Sequence, residues 1–478
     1  MTESIYWYDF ETTGTDPIVD RPLQFAGLRT DLNLEEIAEP QNFFCRPGDD
    51  AIPQPGALLV TGILMSEVKA EGLIEREFTE RILAEFSQPR TCVTGFNNLR
   101  FDDEFTRQML YRNLRDPYAR EWRGGNSRWD VIDLFRAAYA LRPDGFVWPE
   151  REPGVPSFRL EDLSRANGIE HLDAHDALAD VRATIAVTRL LRQAQPRLYD
   201  FAFHLKNKDA VRRQLSPLGK DAFVHVSSMY PAAGGCTAVV LPICQHPDNS
   251  NAIICFDLSQ DPGDLLRVNP TELARLVFSK RGDLDADEQR IALKSIHVNK
   301  SPIVAPMGTL AEPEAERLGI DLARCNDNLA RLRGSSGLVE KIQEAWRSQH
   351  FEDVDDPDFR LYGGGFFSDA DRSTMEAAAA APAEQVAGFE GRFQDERLDE
   401  MLFRYRARNW PEQMNKEEKR RWDACRLSRW HAGEDLAVVE AEVDDKLAGS
   451  ELSAHDRVVL EDLRQYVSEL RESVGLVS

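Results

Sequence analysis

The sequence predicts an α/β domain, then a β-rich domain, then an all-helical one, and three observations lead there. Residues 1 to about 195 alternate strand-like and helix-like segments, as one mixed α/β unit does. Short runs rich in Val, Ile and Thr follow, and from about Asp321 the apolar residues fall at helical spacing. A chain of 478 residues suffices for about three domains. The boundaries are set at 1–195, 196–348 and 353–478.

Within the first domain, IYWYDFET and QFAGLRTDL are strand candidates. TCVTGF leads into an amphipathic helix from about Asn98 to Leu110, and VIDLFRAAYAL is another helix. The last helix runs from about Ala177 to Leu191, with Leu178, Val181, Ile185 and Leu190 close to helical spacing. AQPR at 194–197 marks the boundary. FVHVSSMY, TAVVLPICQ, AIICFDL and SIHVNKSPIV then read as strands, HPDNSN as a hairpin loop, and a helical insertion is placed near 270–280. FEDVDDPDFRLYGGG reads as a linker and MEAAAAAPAEQVAG as a frayed helix or mobile tether. Val459, Leu463, Val467 and Leu470 typify the helical remainder.

The 42% hydrophobic content supports real cores and excludes global disorder. Neither a signal peptide nor a run of about 18 apolar residues is found, so the expectation is a cytoplasmic protein with no membrane role. The seven scattered cysteines, without a CxxC pair, suit reduced thiols better than disulfides or zinc. A net charge of −24 argues against indiscriminate coating of DNA. Residues 351–478 hold 30 acids and 17 bases, yet include a basic stretch from Arg404 to Arg429, either a solvated helix face or a focused groove.

Four carboxylates and a histidine carry the chemistry. Residues i and i+2 of a strand share a face, so Asp9 and Glu11 stand side by side, with Thr12, Thr13 and Gly14 turning after them. Asp102 opens a helix, where Asp is also an ordinary cap, and Asp103 beside it competes for the same role. His175 precedes the last helix and Asp180 lies one turn inside it, where an inward carboxylate needs compensation that a cation supplies.

In order and spacing this set resembles the DEDDh class of 3′→5′ exonucleases, with its motifs DxE, Nx2–3(F/Y)D and Hx4D. The resemblance makes Asp9, Glu11, Asp102, His175 and Asp180 the catalytic set. It implies two Mg2+ ions per site, with Mn2+ able to substitute, held by Asp9, Glu11, Asp102 and Asp180. His175 is then the base that takes a proton from water. Oxygen ligands without cysteine agree with Mg2+ or Mn2+.

The segments DRPLQFAGLRTD, PQPGALLVTGI, GFNNLRFDDEFTRQMLYRN, PSFRLEDLSRANGIEHLDAHDALADV, GFFSDADR and FRYRARNWP resemble the bacterial exonuclease I family. That resemblance implies a ribonuclease H-like exonuclease domain followed by an SH3-like domain and a helical C-terminal domain. It also implies processive 3′→5′ degradation of single-stranded DNA to 5′-mononucleotides, with a place in repair and recombination; a monomer is expected. Glu11, Thr12, Arg107 and Arg159 are then expected against the substrate. Phe201, Phe203, His204, Lys206 and Lys208 offer aromatics among bases, which stack nucleobases or simply fill a core. The family's partner is the acidic C-terminal tail of single-stranded DNA-binding protein, for which Arg142 and Arg333 are candidates, although Pro306 and Ala311 stand where polar groups are expected. A nuclease of RNA ends, and a catalytically dead DNA-binding protein, are the competing readings.

Overall fold

The computed structural model describes residues 3–169, 176–286, 288–349, 354–449 and 452–476. The first sheet has the order β4-β3-β2-β1-β5-β6. Its strands are β1 (Ser4–Thr12), β2 (Pro22–Thr30), β3 (Gln41–Arg46), β4 (Leu73–Ile74), β5 (Thr91–Thr94) and β6 (Ser127–Arg128). The accompanying helices are α1 (Pro55–Thr61), α2 (Met65–Glu71), α3 (Glu75–Phe86) and α4 (Asp102–Arg112). After them come α5 (Ile132–Leu141), a short hairpin of β7 (Glu150–Glu152) and β8 (Val155–Pro156), α6 (Leu160–Ala166) and α7 (Ala177–Ala194).

β1 is central, antiparallel to β2 and parallel to β5. Its alternate residues Tyr6, Tyr8 and Phe10 join Phe25, Phe78, Phe86 and Phe105 in one aromatic core. Tyr8 meets Phe86 edge-on at 4.9 Å, and such a pair adds about 0.5–1.5 kcal/mol beyond its burial. The same alternation turns Asp9 and Glu11 to the other face. α4 starts at Asp102 rather than near Asn98, because Asn97 takes a left-handed φ of 65° and Phe101 is not helical.

Residue 196 onward is helical before it is β, unlike the expectation. Pro196 starts α8 (Pro196–His204), and the Asn207 side chain caps α9 (Lys208–Gln214). An antiparallel sheet follows in the order β12-β11-β10-β9-β13. It is built from β9 (Phe223–Val226), β10 (Thr237–Gln245), β11 (Ala252–Asp257), β12 (Leu293–His297) and β13 (Ile303–Pro306). HPDNSN joins β10 to β11, and SIHVNKSPIV divides into the two edge strands. The insertion is α10 (Gly263–Arg267) and α11 (Pro270–Phe278), and α12 (Glu312–Arg317), α13 (Leu322–Arg333) and α14 (Leu338–Arg347) complete this part. Val224, Leu241, Phe256, Leu273, Ile342 and Trp346 share its core. Phe201 packs against that core, and Phe203 meets Trp129 at 5.1 Å with the Lys206 ammonium over its ring. Both rings therefore take part in packing within this unit.

The C-terminal residues form α15 (Asp369–Ala380), α16 (Ala383–Val386), α17 (Arg397–Asn409), α18 (Lys416–Arg429), α19 (Glu434–Ala448) and α20 (Ala454–Ser473). The expected tether is part of a core instead. Met375, Ala378, Ala379, Ala381 and Val386 pack with Tyr111, Leu398, Met401 and Tyr405, the small alanines permitting close helix approach. The expected linker is also anchored in its described part, for Asp358 is buried among arginines. The basic stretch divides: Lys416, Lys419, Arg420 and Arg421 are exposed, as a solvated face would be, while others turn to aspartates. Arg404, Arg408 and Arg429 converge on Asp358, Arg408 and Arg429 also reach Asp50, and Arg426 reaches Asp49 at 2.8 Å. Burial opposes ionisation of Asp50, but Arg408, Arg21 and Arg429 hold it well below the usual carboxylate range.

By compactness the chain forms two units. One joins the residues up to Ser127, the start of α7 to Arg182, and the helical C-terminal residues. The other holds residues 128–169 and the chain from Ala183 through α14. The cysteines are free. Among the described residues no helix is long and apolar enough to cross a membrane.

Candidate active site

The end of β1 places the first two carboxylates. A register shift after Glu11 ends regular pairing with β2 and releases the chain into the turn at Thr12 to Gly14. The turn is fixed by its own hydroxyls: Thr12 Oγ1 donates to the Gly14 carbonyl at 2.6 Å and Thr13 Oγ1 to Asp20 Oδ1 at 3.1 Å. A Cβ at Gly14 would lie 2.3 Å from Asp20 Oδ2 and would displace that side chain from its bonds to Thr13 and the Asp16 amide.

Asp180 comes from the first turn of α7, whose start is capped by Asp176 accepting from the Leu178 and Ala179 amides. Oxygens of Asp9, Glu11 and Asp180 lie within 4.8 Å of one another. Asp102 reaches the same strand from α4, its Oδ1 accepting from the Phe10 amide at 3.0 Å. Burial pushes the Asp9 carboxyl well up, and Asp102, Glu11, Asp180 and Asp176 reinforce it. Glu11, 8% exposed, is pushed up to about 9 by burial, then by Asp180, Asp102 and Asp176. Like charges in one buried place hold protons unless a cation offsets them. An all-oxygen set of this kind fits a hard divalent cation.

The structure therefore brings Asp9, Glu11, Asp102 and Asp180 together, while His175 lies outside the described residues. Thr12 is buried in the adjacent turn. Arg159 is exposed at the N-cap of α6. Arg107 differs from its expectation: it is 5% exposed and bound to Glu121 at 2.9 Å, Glu104 at 3.0 Å and the Tyr362 hydroxyl at 3.2 Å. Two carboxylates already neutralise it.

Several residues escaped the sequence reading. Asp176 adds a further negative charge to the cluster, and its place beside His175 was the available signal. The Arg107 guanidinium sits 5.3 Å over Tyr118, which meets Phe366 at 5.9 Å. Phe366 is 87% exposed and Trp122 is 63% exposed, and with Tyr118, Arg123, Phe367 and Arg372 they line a cavity of about 370 Å³. The four-residue spacing of Tyr118 and Trp122 and the FF pair could have marked them. Separately, Leu141, Arg142, Pro196, Arg197, Phe201 and Ala305 line an apolar cavity of about 460 Å³ with a basic rim. Arg333 instead pairs with Asp221 at 3.2 Å.

Comparison with known proteins gives three family matches along the chain. They are Exonuclease over residues 6–188, Exonuclease I SH3-like domain over 206–348, and Exonuclease I C-terminal domain over 355–470. Exodeoxyribonuclease I of Escherichia coli is 43% identical over 448 residues, covering 92% of this chain and 94% of that protein. Exonuclease I from Methylocaldum szegediense superposes with a TM-score of 0.93 at 47% identity, covering 98% and 99% of the two chains. The zinc ion-bound complex of E. coli exonuclease I with single-stranded DNA gives a TM-score of 0.93 at 41% identity, covering 98% and 100%.

Proposed function

The chain belongs to the exonuclease I family, and on that premise we propose that it is a metal-dependent 3′→5′ exonuclease of single-stranded DNA. It releases 5′-mononucleotides processively, as a cytoplasmic monomer serving DNA repair and recombination. The convergence of Asp9, Glu11 and Asp180 oxygens within 4.8 Å carries this reading, since a binding protein has no use for so costly a cluster.

Asp9, Glu11, Asp102 and Asp180 would hold two Mg2+ ions, or Mn2+ in their place. Bound there, the ions supply positive charge to the scissile phosphate and the leaving oxygen. His175 takes the proton of the attacking water. Glu11 and Thr12 close the end of β1 against the terminal nucleotide, and Arg159 pairs with phosphate. Tyr118, Trp122 and Phe366 provide ring faces on which bases stack, with Arg107 supporting Tyr118 from behind. The domains serving these roles are the exonuclease domain 1–195, the SH3-like domain 196–348 and the helical domain 353–478. The apolar cavity rimmed by Arg142 and Arg197 suits the acidic C-terminal tail of single-stranded DNA-binding protein, and Arg333 lies outside that lining.

The test is digestion of one sequence as 3′-blocked, 5′-blocked and unblocked single-stranded DNA, as RNA and as duplex, with Mg2+ or with EDTA. Rapid Mg2+-dependent loss of unblocked and 5′-blocked DNA is expected, with the 3′-blocked strand, the RNA and the duplex resistant. A preference for RNA, or digestion in EDTA, would sink the reading.

A further inference from the structure

Asp102 and Asp103 are consecutive and open the same helix, yet they anchor to different points of β1. Asp102 Oδ1 accepts from the Phe10 amide at 3.0 Å, and Asp103 Oδ1 accepts from the Tyr8 hydroxyl at 2.9 Å. Asp9 lies between those two anchors on the strand. Asp103 is further held by Arg120, whose Nη2 donates to it at 2.6 Å with both side chains fully buried. Arg120 comes from the turn Ala119–Glu121, and its guanidinium lies 5.1 Å over the Phe86 ring. The Asp103 amide donates to the Asn98 carbonyl at 2.8 Å, so its backbone is tied as well.

We propose that Tyr8, Asp103 and Arg120 form a positioning cluster that sets the distance between Asp9 on β1 and Asp102 on α4, and so the cation affinity of the site. This rests on the reading of Asp9 and Asp102 as cation ligands. The two anchors act on neighbouring residues of one rigid helix turn, so that turn cannot shift along β1 without breaking both. Arg120 is needed because a buried carboxylate that loses its paired guanidinium is left uncompensated and its segment shifts. Such a shift loosens the first turn of α4, where Asp102 sits. Outer groups that orient metal ligands commonly change metal affinity about 10–100-fold when removed.

Tyr8→Phe deletes one hydroxyl and keeps the ring against Phe10 and Phe86. Arg120→Lys keeps the charge without the planar fork, and Arg120→Met removes both. Mn2+ binding is read directly by electron paramagnetic resonance on the full chain, alongside thermal melts and oligonucleotide binding in EDTA. Folded Tyr8→Phe and Arg120→Lys proteins are expected to bind Mn2+ about 10-fold or more weakly, Arg120→Met more weakly still, with metal-free oligonucleotide affinity unchanged. Wild-type Mn2+ affinity in both Tyr8→Phe and Arg120→Lys overturns the positioning role alone. So does an equal loss of oligonucleotide affinity, which marks general loosening. Wild-type protein that binds no Mn2+ overturns the cation site along with it.

Discussion

Arg408 meets Asp50 with two donors, Nη2 at 2.9 Å and Nε at 3.1 Å, and both side chains are 1% exposed. Arg21 and Arg429 also reach Asp50, so this carboxylate joins three guanidiniums from distant parts of the chain, two of them shared with Asp358. Asp50→Asn leaves buried arginine charge uncompensated and is expected to destabilise the fold by about 3–5 kcal/mol. Urea unfolding measures this, and a change within error would refute the network's role.

Asp180→Asn removes one of the converging carboxylates. Nuclease activity should be lost, while the metal-free protein should melt higher than wild type because a buried repulsion is relieved. Unchanged digestion in this variant would mean that the cation site lies elsewhere.

His175→Ala should lower turnover about 10²–10⁴-fold, the usual contribution of a positioned acid or base. Mn2+ and oligonucleotide binding should persist, so the test is single-turnover digestion beside direct binding. Full turnover would refute its role as base.

Burial and the neighbouring carboxylates raise the Asp9 and Glu11 carboxyls in the folded chain, Glu11 from 4.5 to about 9. Between those two values the unfolded chain has lost a proton that the folded chain keeps. The metal-free protein should therefore lose stability from Glu11 as pH rises through that window. Divalent cation displaces the proton, so the gain in melting temperature on adding Mg2+ should grow from pH 6 to pH 9. A gain that is flat with pH would count against the cluster as the binding site.

Trp122→Ala and Phe366→Ala each remove an exposed ring from the surface beside Tyr118. Each should weaken single-stranded DNA binding by about 1–3 kcal/mol, measured by fluorescence anisotropy in EDTA. Wild-type affinity in both would exclude base stacking there.

Much of the carboxylate cluster was legible in residue spacing. The alternation of β1 already turned Asp9 and Glu11 away from Tyr8 and Phe10, and α7 begins at Ala177 as its apolar spacing indicated. The basic stretch at Arg404–Arg429 was not legible, because its partners Asp49 and Asp50 lie more than 350 residues away. Nor was the fate of MEAAAAAPAEQVAG, since alanine suits both a solvated helix and a tight helix contact. Arg107 was expected against the substrate, and its pairing was not legible because Glu121 and Tyr362 reach it only through the fold.

By itself the sequence determined the chemistry: which oxygens are available, in what order, and on which face of a strand or turn of a helix. Local periodicity settles that, because side-chain direction follows from backbone geometry. Tertiary structure alone sent Asp102 to the Phe10 amide and its neighbour Asp103 to Tyr8 and Arg120. It likewise decided that Arg404, Arg408, Arg426 and Arg429 turn toward Asp49, Asp50 and Asp358. Pairing of buried charges depends on distances between remote segments, and those exist only once the chain has folded.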